Sequence, residues 1–160
     1  MLRSRSVIAL SFAAVLVLLA TPVGATVPEA KNGCKYLTLR ELNEITGLTF
    51  AKGARPPGPA VIAACGYTVP DDATASVTVW VQRGSSAASG FIAAKETFAA
   101  AAETVSGLGK KAFYASEVST VYVLKEKTLV FVQYVSIGNA DEAGVKDVAV
   151  ELTQAVIKRT

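Results

Sequence analysis

Histidine is absent from all 160 residues. That removes the usual activator of a serine or cysteine nucleophile and the commonest nitrogen ligand for a metal. The remaining candidates for chemistry are few. Asp71 and Asp72 are adjacent carboxylates, whereas acid–base work on a glycoside needs two carboxylates facing each other across a cleft. A solvated turn accounts for them, with a weak calcium site as the minor alternative. Glu117 is an isolated acid in a turn. Ser85, Ser86 and Ser89 fall at a predicted helix start, where hydroxyls cap, and a nucleophile among them would need a partner such as Lys95. Gly107-Leu108-Gly109-Lys110-Lys111 is glycine-rich and basic, but it follows a helix. A phosphate loop instead follows a strand and opens a helix. The chain is therefore expected not to be an enzyme, and no cofactor or metal is expected.

The aromatic residues carry more information. Val77, Val79 and Val81 alternate with Ser76, Thr78, Trp80 and Gln82, the period of a half-buried strand. With the valines inward, Trp80 points to the other face. A two-residue turn at Glu126-Lys127 pairs Tyr122 with Phe131, on the face opposite Val121, Val123, Val130 and Val132. Trp80, Tyr122 and Phe131 then share one sheet face and form the candidate ligand-binding surface, since a large exposed apolar patch marks an interaction site. Two alternatives stay open: the aromatic face is itself a core face, or the proline loop covers it. A one-residue slip in register would exchange the faces.

These residues need elements to place them. Thr38-Leu39-Arg40-Glu41 is a capping-box pattern, and Gly47 suits a helix end, which predicts a helix over Leu39–Thr46. Arg55-Pro56-Pro57-Gly58-Pro59 can join neither a helix nor a central strand and reads as an exposed loop. Strands are predicted at Cys65–Val69 and Ala75–Gln82, around a turn at Pro70–Ala73. Ala87–Val105, rich in alanine, predicts a long helix capped by Gly84-Ser85-Ser86 and stopped by Gly107. Strands at Lys111–Ala115, Thr120–Leu124 and Thr128–Val135 follow. A final helix is capped by Asn139, with Val145, Val148, Ala149, Leu152 and Val156 as its apolar stripe. The expected fold is α+β, in the order α-β-β-α-β-β-β-α, with an antiparallel sheet of about five strands and helices on one face.

The N-terminus has the layout of a secretory signal. Arg3 and Arg5 precede an apolar run from Val7 to Ala20, then Thr21-Pro22-Val23-Gly24-Ala25. The run is short of the roughly 20 residues that span a bilayer. Residues 1–25 are therefore expected to be a cleaved signal peptide, 26–33 a flexible arm and 34–160 a single domain. The mature chain would be secreted or periplasmic, with no membrane anchor left after cleavage. Two of the 16 basic residues and none of the 13 acids lie in the signal. The mature chain then carries 14 bases against 13 acids, net +1, which argues against nucleic acid as a partner. In an oxidising compartment Cys34 and Cys65 are expected to pair as one disulfide; two free thiols or a redox or metal pair are the alternatives.

The ensemble of Cys34, Leu37-Thr38, Gly47, Cys65, Tyr67, Gly107-Leu108-Gly109 and Ala112-Phe113, followed by a hairpin and a last helix, resembles a poorly characterised group of bacterial exported domains. Many of them are lipoproteins. The resemblance runs from Cys34 to Arg159 and implies export and an α+β fold, with no activity to carry over. The chain departs from the lipoprotein members by lacking their anchor cysteine, and it has Lys110 where an acid often follows Gly-Leu-Gly. The layout is more distantly similar to beta-lactamase inhibitory protein and to sensor domains of receptor kinases, at the level of fold alone. The expected function is an exported non-catalytic domain that binds a protein or small ligand through a sheet face. A secreted enzyme inhibitor is the second reading, and a carboxylate hydrolase the third.

Overall fold

A computed structural model describes residues 32–138 and 141–160. The expected signal peptide, most of the expected arm and the expected cap Asn139 lie outside the described residues.

The first helix, α1 (Leu39–Thr46), forms as its local sequence dictates. Thr38 accepts a hydrogen bond from the Glu41 amide, Glu41 accepts one from the Thr38 amide, and Gly47 closes the helix at φ 69°. The capping box and the left-handed C-terminal residue satisfy end groups that the helix itself cannot. Six strands follow: β1 (Ile62–Val69), β2 (Asp72–Arg83), β3 (Ala102–Thr104), β4 (Ala112–Ala115), β5 (Thr120–Lys125) and β6 (Thr128–Ser136). They form one antiparallel sheet in the order β1-β2-β6-β5-β4-β3. Two more helices complete the fold, α2 (Ser86–Thr97) and α3 (Glu142–Ile157). Asp141 caps α3 by accepting from the Gly144 amide.

The α+β class, the antiparallel sheet and the Cys34–Cys65 disulfide are as expected. Three features differ. The sheet has six strands, not about five. The helix expected over Ala87–Val105 stops at Thr97, and Ala102–Thr104 pairs with β4 instead. Alanine propensity is a weak prior. Here it yields to a strand that gives the Phe113 edge of the sheet backbone partners, Thr104 opposite Phe113 and Ala102 opposite Ala115. Finally, the helices are not on one face. α1 and α3 cover the valine face, while α2 covers part of the other.

The valine face is the main core. Val77, Val79, Val81, Val121, Val123, Val130 and Val132 are buried against Leu152 and Val156 of α3, with Leu42 of α1 beside them. Each fully buried aliphatic side chain contributes about 1.5–3 kcal/mol. The disulfide fastens the segment before α1 to β1. Gly53 lies against it so closely that a Cβ there would run into the Cys65 sulfur and the Tyr67 ring. The Tyr67 hydroxyl donates to the Leu37 carbonyl at 2.6 Å. Burial, with a smaller push from the Glu41 charge, raises its pKa to about 12.

Glu41 also ties α1 to the residues that follow α3. Its Oε1 accepts from Arg159 Nη2 at 2.6 Å, and its Oε2 accepts from the Thr38 hydroxyl at 2.6 Å. The Arg159 hydrogen bond, aided by Thr38 against the cost of burial, lowers the carboxyl from 4.5 to about 2. The unfolded chain loses this depression, so the contact stabilises the fold above about 4.5 and is lost as pH falls towards about 2. Urea unfolding across that window should show a steeper loss of stability for the wild type than for Arg159→Gln. Parallel curves would refute the assignment.

Candidate functional site

The register of four strands builds an aromatic ladder. Trp80 of β2 stands opposite Phe131 of β6, Phe131 opposite Tyr122 of β5, and Tyr122 opposite Phe113 of β4. Directly opposed residues on antiparallel strands bring their side chains together on one face, and here the rings stack. The centroids are 4.9, 5.6 and 4.9 Å apart, with interplanar angles of 14°, 16° and 10°. The two-residue turn at Glu126-Lys127 sets this register by pairing Lys125 with Thr128. The structure thus brings together all three sequence-predicted residues, Trp80, Tyr122 and Phe131.

α2 covers one end of the ladder. Phe91 meets Phe113 edge-on at 5.5 Å, and Phe98 lies 5.9 Å from Tyr122. With Ala87, Ala115, Leu124 and Leu129 they form a second apolar cluster. Phe113 is buried there, while Tyr122 and Phe131 are half-buried at its margin. Burial pushes the Tyr122 hydroxyl pKa up. The alternative that the aromatic face is itself a core face therefore holds at one end, where Phe113 is buried. Trp80 lies outside that cluster and is half-buried. Phe113, Phe91 and Phe98 were not predicted for this face. Phe113 could have been found by pairing Lys111–Ala115 with Thr120–Leu124, but the short 3-10 turn Ser116–Val118 hides the register.

Beyond Trp80 the same sheet face becomes polar. Ser76 and Thr78 of β2 stand opposite Thr68 and Gly66 of β1. They floor a shallow cavity of about 420 Å³ walled by Arg55 and Pro56. The proline loop is held rather than loose. Ala54 exchanges two backbone hydrogen bonds with Gly66, at 2.9 and 2.7 Å. Arg55 donates to the Ile62 carbonyl and to the Pro59 carbonyl, each at 2.9 Å. Pro57, Gly58 and Pro59 remain exposed, as does Val61. The surface left open therefore combines an aromatic ring, hydroxyls and an arginine-braced loop.

The acids do not converge with it. Asp72 accepts from the Thr74 amide and hydroxyl, hydrogen bonds that hold its carboxyl below the usual range. Glu103 pairs with Lys146 at 2.6 Å, and Asp71 and Glu117 are exposed on separate turns. Ser89 donates to the Ser86 carbonyl, and Ser86 accepts from Gln82. Among the described residues no three His, Cys, Asp or Glu side chains are grouped to hold a metal ion, and no helix is long and apolar enough to cross a membrane. No protein-family model matches the chain, and neither a curated protein nor a solved structure is significantly similar to it.

Proposed function

We propose that this chain is an exported, non-catalytic binding domain that holds a protein or small ligand against the open end of its aromatic ladder. The carrying observation is that Trp80, stacked on Phe131 and therefore pre-ordered, remains only partly buried, on the same sheet face as the polar cavity of Thr78, Ser76 and Arg55. Rigid, amphipathic aromatic surface flanked by polar groups is what small-ligand sites and binding hot spots share. Export rests on the three-part N-terminal layout and on the disulfide, which persists in oxidising compartments.

Trp80 is the sole tryptophan, so its fluorescence reports directly on this surface. Candidate partners are recovered from the native extracellular or envelope fraction and titrated in purified form. The true partner should shift Trp80 emission and lose at least about tenfold in affinity with Trp80→Ala. Far-ultraviolet circular dichroism should be unchanged in that variant. Undiminished binding by Trp80→Ala would refute the site.

A second reading, a secreted enzyme inhibitor, is favoured by the arginine-braced loop. Inhibitory loops must keep their bound shape when free, and Arg55 clamps both ends of this one. Under this reading Pro57→Asp disrupts partner binding and Trp80→Ala does not, which separates the two.

A further inference from the structure

The second apolar cluster is not sealed along the outer flank of α2. Phe91 and Leu124, both buried, floor an open cavity of about 520 Å³ whose rim carries Ile92, Lys95 and Lys111. Ile92 is 56% exposed, on a helix flank where a polar residue is the rule. Lys95 comes from α2 and Lys111 from the segment just before β4, so separate elements supply the two cations. Glu96 is the one acid on the wall. Among the described residues, neither lysine forms a salt bridge. The volume lies in the range of small-molecule sites, which pair apolar walls with a few convergent polar groups.

We infer that this cavity binds a small amphipathic carboxylate, an alkyl or aryl acid. Its apolar body would lie on Phe91, Ile92 and Leu124, and its carboxylate between Lys95 and Lys111. The apolar floor gains from covering by any hydrocarbon, so the charge at the rim selects the head group. With two ammonium groups against one carboxylate, the rim favours an anion and disfavours a cation. This site lies at the α2-covered end of the ladder and does not involve Trp80, so it stands apart from the surface proposed above.

The test is calorimetric titration of the disulfide-bonded protein with decanoate, and with decyltrimethylammonium as the probe of opposite charge. Decanoate is expected to bind saturably with a Kd of about 0.1–1 mM, and the cation at least about tenfold more weakly. Lys111→Glu should weaken decanoate about fivefold and narrow the preference over the cation. Ile92→Glu, at an exposed position, should abolish binding while leaving the unfolding midpoint near that of the wild type. Trp80→Ala should leave the titration unchanged. Equal binding of the two probes, decanoate binding that survives Ile92→Glu, or no saturable binding at all would each overturn the proposal. So would a dimer in sedimentation that Ile92→Glu dissolves, because the groove would then be filled by a second copy.

Discussion

Phe113→Ala is expected to destabilise the protein by about 3–5 kcal/mol. The ring is buried at 3% exposure, stacks on Tyr122 and takes the edge of Phe91 from α2. Its loss leaves a cavity that the small residues around it, Ala87 and Ala115, cannot fill. It also removes the aromatic contact by which α2 grips β4. Aromatic pairs add roughly 0.5–1.5 kcal/mol beyond area burial, so Phe113→Leu should recover most but not all of the loss. Urea unfolding of both variants checks this. A cost below about 1 kcal/mol for Phe113→Ala would show that this end of the ladder is not core.

The second large effect is expected from the disulfide. Cys34 and Cys65 close a separation of 31 residues, for which the chain-entropy model gives about 3.5–4 kcal/mol. Domains of this size have about 5–15 kcal/mol in total, so Cys34→Ser/Cys65→Ser should leave a marginal fold. The loop it closes spans α1 and the proline loop, and both pack beside the bridge through Tyr67 and Gly53. Thermal unfolding of the double variant, and of the wild type with and without reductant, measures the effect. If reductant leaves the wild-type midpoint unchanged once both thiols are shown to be free, the cross-link does not have this role.

Elements defined by local chemistry were legible in the sequence. The capping box at Thr38 and Glu41, the alternation from Val77 to Val81 and the two-residue turn at Glu126-Lys127 each act within a few residues, and each appears as read. Trp80, Tyr122 and Phe131 came together because strand periodicity and one hairpin turn determine their facing. What escaped depends on distant partners. Ala99–Ala102 carries a helical propensity, and nothing local reveals that β4 waits to pair with Ala102–Thr104. The placement of α2 escaped for a related reason. Its outward Ile92 and inward Phe91 are neighbours in sequence, so the apolar pattern alone does not reveal which flank faces the sheet.

The strand order has a kinetic consequence. β1 and β2 form one hairpin, and β3 to β6 form a meander, each joined by pairings close in sequence. The two units meet only along β2 and β6, where Arg83 stands opposite Thr128 and everything from Gly84 to Lys127 lies between. Closing that seam is an entropically expensive step of folding, because non-local pairing must be made before its contacts repay it. The ladder crosses the seam through a single stack, Trp80 on Phe131. The indole therefore does not acquire its neighbour when either unit forms, but when the two dock. Its emission is a clock for the docking of the two units rather than for the first local events.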